Sequence, residues 1–176
     1  MAGAFGAADL EAVVPRLRRY ARALTGTREA ADDLTQDALE RAWQKRALWQ
    51  PGTVLRAWMF TIMHNVFVSG TRKGRPTVSL EDLAVEDNRP AAGTSVETGI
   101  VLGELARSLA LLPEEQREVL LLVGLEQFSY AEASEMLGVP IGTVMSRLSR
   151  ARERLRLLLD AGSAGTERPA ALRRVK

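Results

Sequence analysis

Cysteine is absent from the 176 residues, and histidine occurs once, at His64. Disulfides are therefore excluded, and a structural zinc centre of the usual Cys/His type cannot be assembled. No apolar stretch approaches the roughly 18 residues that a membrane-spanning helix requires. The N-terminus MAGAFGAADLEAVV carries Asp9 and Glu11 without a leading positive run, so it does not read as a secretory signal. A cytoplasmic protein with no membrane insertion is the expectation. Glycine-rich phosphate loops and metal-ligand spacings are missing too, and no cofactor or metal is expected. His64 alone makes no catalytic base, because the sequence pairs it with no nucleophile and no orienting acid. An enzymatic role is not expected.

Strand patterns are also lacking, since period-two alternation persists nowhere. What is present is helical periodicity in a chain with 46% hydrophobic residues, enough for one medium domain or two small ones. Leu10 to Leu24 reads as a helix with Val13, Leu17, Tyr20, Ala21 and Leu24 on one face, stopped by Thr25-Gly26-Thr27. Asp32 to about Lys45 and Val54 to about Thr71 are the next helices, separated by the Pro-Gly loop Ala47 to Thr53. Gly74 to Gly99 is rich in Gly, Pro and acids, the composition of a linker. Ile100 to Leu112 and Glu114 to Leu125 resume the helical pattern. The expectation is an all-α chain of two small helical domains, residues 8–73 and 100–158, with a linker at 74–99 and a disordered tail at 159–176. Trp58, Phe60, Phe67 and Trp43 are expected mainly as core.

The most specific local signal lies between Tyr130 and Arg156. Gly138 after Met136-Leu137 closes one helix, because glycine accepts a positive φ without a Cβ clash. Pro140 then fixes φ near the start of a second helix from about Ile141. Val144, Leu148, Ala151 and Leu155 form its buried stripe, leaving Arg147, Arg150, Arg152, Arg154 and Arg156 mostly off it. Charge is segregated accordingly: residues 98–135 hold two basic and seven acidic residues, whereas 141–158 hold five arginines and one glutamate. Gly142, Thr143 and Ser146 are small enough to permit close approach. Helix, glycine turn and arginine-rich helix is the form of a helix-turn-helix DNA reader.

A second feature is acidic. Asp33, Gln36 and Asp37 fall at i, i+3 and i+4, on one polar face of a helix whose opposite face carries Leu34, Ala38 and Ala42 or Trp43. Two readings are even on the residues alone. One is stabilisation of a helix N-terminus by negative charge; the other is a docking surface of carboxylates and an amide.

DDLTQDALERAWQ (Asp32–Gln44) and LPEEQREVLLLVGLEQFSYAEASEMLGVPIGTVMSRLSRARERL (Leu112–Leu155), in this order across an acidic linker, resemble a group 4, or extracytoplasmic-function, bacterial sigma factor. The resemblance implies two all-helical domains, sigma-2 and sigma-4, and as partners the RNA polymerase core (its β′ clamp and β flap), promoter DNA and an anti-sigma factor. It assigns Asp33, Gln36 and Asp37 to the β′ clamp, favouring docking over the helix-end reading. Thr143, Met145, Ser146, Arg147, Ser149, Arg150 and Arg152 match the −35 reading region, with Arg147 and Arg152 directed to phosphates. Asn65, Arg72 and Lys73, with the loop Ala47 to Thr53, match the −10 region. Met145 stands where the family most often has Lys or Arg, and Ser134 where Ala is usual. His64, Ser69, Gly70 and Thr71 also depart from the commoner Arg, Asp, His and Leu. Gly70 should cost about 1 kcal/mol in a helix interior and fray the third helix early. A decoy that sequesters an anti-sigma factor without initiating transcription is the alternative function.

Overall fold

Thr25-Gly26-Thr27 both ends one helix and starts the next. Helix α1 spans Ala7–Thr25 and stops at Gly26, whose φ of 87° turns its N–H onto the Arg22 carbonyl. Helix α2 spans Arg28–Gln44, capped by the Thr27 hydroxyl, which accepts from the Ala30 N–H at 3.3 Å. That cap moves the start of α2 ahead of Asp32, the expected first residue. Asp32 and Asp33 consequently lie in the second turn and Asp37 in the third, beyond the first-turn reach of the helix dipole. Dipole stabilisation does not account for these acids.

The structure, a computed structural model, describes residues 5–50, 52–72 and 96–164. A short 3-10 turn, Arg46–Leu48, follows α2, and α3 spans Leu55–Arg72. Gly70 does not end α3, which keeps its helical backbone to Arg72. Leu17, Tyr20, Ala21 and Leu24 of α1 meet Leu34, Ala38 and Ala42 of α2 and Met59, Phe60 and Met63 of α3 in a buried three-helix interior. Phe60 is core as expected. Trp43 is not: it is 47% exposed, because Ala42 takes the inward position, and Arg46 lies 4.6 Å over its ring.

In the second half α4 spans Val96–Ala110, α5 Glu114–Leu120, α6 Tyr130–Leu137 and α7 Ile141–Ala164. Helix α4 begins four residues before Ile100, so the end of the expected linker is helical. Lys73 and the rest of the expected linker, to residue 95, lie outside the described residues. Helix α7 runs past residue 158, so 159–164 are helix rather than tail, and 165–176 lie outside the described residues as well. The single helix expected over Glu114 to Leu125 changes its winding partway. Leu121–Leu125 is a turn of π-helix, with the Glu126 N–H bonding back to the Leu121 carbonyl at 3.0 Å.

The two halves touch directly. Phe128, after the π-helical turn, packs edge-on to Phe60 at 5.2 Å, and Phe60 in turn to Tyr20 at 5.1 Å. Buried side chains of both halves thereby join in one continuous cluster. Among the described residues there is no strand, and no helix is long and apolar enough to cross a membrane.

Candidate nucleic-acid interface

Helices α6 and α7 are set by local bonds that the sequence dictates. Ser129 starts α6 with a reciprocal cap: its hydroxyl accepts from the Glu132 N–H at 3.2 Å, while the Glu132 carboxylate accepts from the Ser129 N–H at 2.8 Å. The backbone N–H of Ser129 first, and then its hydroxyl, hold the Glu132 carboxyl below the usual glutamate range. Gly138 ends α6 in the left-handed region at φ 63°. The Ser134 hydroxyl donates to the Val139 carbonyl at 2.6 Å, so the serine found where alanine is usual ties α6 to the turn. Pro140 opens α7, its carbonyl accepting from the N–H groups of Thr143 and Val144 at 2.8 and 3.2 Å.

The expected stripe anchors α7. Val144, Leu148 and Ala151 are buried and Leu155 is half-buried. Met145, Ser149, Arg150 and Arg152 are thereby turned to solvent, with Met145 53% exposed. Thr143, Ser146 and Arg147 are half-buried instead. The Ser146 hydroxyl donates to the Thr143 carbonyl at 3.1 Å, and Arg147 donates to the Glu115 carboxylate of α5 at 2.6 Å. Further along, Arg156 is bracketed by Glu153 at 3.0 Å and Asp160 at 3.7 Å. Its bond to Glu153 holds the guanidinium charged, with a pKa above the usual arginine value. The positive face is therefore concentrated on Arg150, Arg152 and Arg154.

The face of α2 opposite its buried Leu34, Thr35 and Ala38 presents Asp33 and Gln36 to solvent and Asp37 half-buried. Asp37 lines an open groove of about 400 Å³ with Glu40, Arg41 and Gln44 of α2 and Val66, Ser69 and Gly70 of α3. On α3, Asn65 is exposed and its side-chain amide donates to the Thr61 carbonyl at 2.9 Å. Arg72 ends that helix, and Lys73, the third expected −10 residue, lies outside the described residues. His64, one residue before Asn65, is half-buried with Nδ1 2.6 Å from Glu118 of α5.

Residues that join the halves escaped sequence reasoning. Glu118, Glu126, Arg19 and Arg56 carry polar bonds across the junction. A lone acid closing the apolar run LLLVGL was the available signal for Glu126.

Comparison with known proteins agrees with this geometry. Residues 10–64 match the family described as the Sigma2 domain of PhyR, and residues 102–155 match Sigma-70, region 4. The ECF RNA polymerase sigma factor EcfG of Rhodopseudomonas palustris (strain TIE-1) is 40% identical over 159 residues, covering 89% of this chain and 86% of that protein. The ECF RNA polymerase sigma factor SigM of Mycobacterium tuberculosis is 38% identical over 152 residues, covering 85% and 74% respectively. Among solved structures, the sigma factor RpoE in complex with the anti-sigma factor NepR from Bartonella quintana superposes with a TM-score of 0.72 at 38% identity, covering 87% of this chain and 95% of that one. With two helical units in the matching order, an exposed arginine-rich helix and relatives at this identity over most of its length, the chain belongs to the ECF family of RNA polymerase sigma factors.

Proposed function

We propose that this sigma factor acts as a promoter-specificity subunit with no chemistry of its own, docking on the polymerase core through Asp33, Gln36 and Asp37 and reading a −35 element through α7. The observation that carries the reading is the exposure of Met145, Ser149, Arg150 and Arg152 on a helix anchored by Val144, Leu148 and Ala151. An arginine aimed at guanine O6 and N7 discriminates bases by about 1–3 kcal/mol, whereas one aimed at phosphate adds affinity for any sequence. Arg150 takes the first role and Arg152 the second. Thr143 and Ser146 bring the helix close to the groove, and Arg147 reaches phosphate after exchanging its bond to Glu115.

On the polymerase side, the exposed acidic and amide groups of α2 suit a basic surface of the β′ clamp, while the second half meets the β flap. Asn65, Arg72 and Lys73, on and just after α3, serve the −10 element by holding an unpaired strand. The solved relative carries an anti-sigma factor in its complex, and a similar partner is proposed to hold this chain inactive.

Transcription in vitro with purified core polymerase tests the proposal. Promoter-dependent initiation on genomic templates is expected, and its absence would remove it. A second reading draws support from the PhyR description matched by residues 10–64, since PhyR, solved in complex with the anti-sigma factor NepR from Bartonella quintana, is an anti-anti-sigma factor of similar fold. Under that reading the chain binds an anti-sigma factor tightly and yields no transcript with core.

A further inference from the structure

The junction between the halves is built unlike the interior of either. At its centre stands Glu126, whose side chain is fully buried although it bears a carboxylate. One oxygen, Oε1, accepts from Arg19 at 2.6 Å. The other, Oε2, lies 3.8 Å from Arg16 and has no hydrogen bond. The Glu126 backbone carbonyl accepts from Arg56 at 2.9 Å, and the same guanidinium lies 4.1 Å over the Phe128 ring. Three arginines of the first half thus close on Glu126 and Phe128 of the second. Between the two anchors, Gln127 has φ 58°, a conformation that residues other than glycine rarely adopt. A π-helical turn, a strained residue and a half-satisfied buried acid coincide in this one segment of the junction.

We propose that Glu126 is the latch of a reversible closed state, in which the halves are held by each other. A chain that reads two promoter elements must let the DNA set the spacing of its halves, and a shared core fixes that spacing instead. His64 of α3 reaching Glu118 adds a second tie beside Asn65. The consequence for promoter reading rests on the sigma-factor assignment; the latch itself does not. Its design explains why the closed state can open. A buried ion pair contributes little net stability, because both charges regain water when it parts, yet stranding one partner is severely penalised. Glu126 with an unbonded Oε2 is therefore tied only while its arginines are present.

That asymmetry makes a test with two variants beside the labelled parent. The chain has no cysteine, so Lys45→Cys and Arg154→Cys, exposed on opposite halves, accept spin labels for distance measurement by electron resonance on the full chain, without polymerase or DNA. The parent should give one narrow distribution. Arg16→Ala with Arg19→Ala strands the carboxylate and should lower the closed-to-open ratio about a hundredfold, replacing the narrow peak by a broad, longer one. Adding Glu126→Gln should restore the narrow peak, since a neutral amide is far cheaper to bury than a charge. Both arginines are half-exposed, so helical content by circular dichroism should match the parent in both variants. Unchanged distances in the double alanine variant, or a broad distribution that persists with Glu126→Gln, would overturn the latch. Distances that respond as stated in a chain that supports no transcription would instead remove the sigma-factor reading and leave the latch standing.

Discussion

Arg147 of α7 and Glu115 of α5 meet at 2.6 Å, so an arginine of the reader helix is held by an acid of its own half. Glu115 is 70% exposed, and a pair of this kind contributes roughly 0–1 kcal/mol to stability. Under the proposed function its larger effect falls on DNA, because the carboxylate would oppose the phosphate that Arg147 is proposed to approach. Glu115→Gln should leave thermal stability within about 1 kcal/mol of the parent and raise affinity for any −35 duplex. Fluorescence anisotropy against salt should show a steeper slope by about one counterion. An unchanged slope would mean that Arg147 makes no phosphate contact.

The two proposed faces can be tested separately by substitution. Arg150→Ala should reduce discrimination at one −35 base pair by about 1–3 kcal/mol while core polymerase still binds. Asp33→Ala should do the reverse, weakening core binding in a pull-down or anisotropy titration and sparing duplex binding by the free chain. Equal loss of both functions from either change would argue against two distinct faces.

Much of the α6–α7 helix pair was legible because local rules dictate it. Val144, Leu148 and Ala151 recur at helical spacing and are buried, and Gly138 sits where only a left-handed residue closes the turn. The start of α2 was missed by four residues, because Thr27 caps through its hydroxyl and outweighs the acidic run that suggested Asp32. Periodicity leaves Trp43 and Ala42 as alternatives on one face, and packing chose the alanine. The junction was illegible for a different reason. Tyr20, Phe60 and Phe128 each fit their own helix pattern or loop, and nothing in periodicity says that residues so far apart in sequence share a ring cluster. Glu126 closes an apolar run, but nothing in periodicity names the arginines of the first half that it meets.

The cap of α6 predicts an acid dependence. Glu132 has its folded pKa depressed, chiefly by the Ser129 N–H, so its contribution is present above the unfolded value of about 4.3 and is lost as pH falls through the folded one. Ser129→Ala should cost about 1 kcal/mol at neutral pH. Glu132→Gln should melt below the parent at pH 7, and the two melting curves should converge as the pH falls below about 4. A gap that stays constant down to pH 2 would show that the carboxylate charge plays no part in the cap.

Gly138 and Gly142, four residues apart, should respond oppositely to the same added methyl group. At neither position would a Cβ come within 4 Å of a neighbouring atom, so crowding by neighbours plays no part in the difference. Gly138 has φ 63° at the end of α6, where a side chain clashes with its own backbone. Gly142 lies in the first turn of α7, where alanine loses less backbone entropy than glycine. Gly138→Ala should therefore destabilise by about 1 kcal/mol, and Gly142→Ala should stabilise by up to about 1 kcal/mol, both read from urea midpoints. For DNA binding the order should change: Gly142→Ala places a methyl where α7 is proposed to approach the groove, and weaker −35 affinity in a more stable protein would show that the glycine serves contact rather than folding. Full affinity in that variant would place the groove elsewhere along α7.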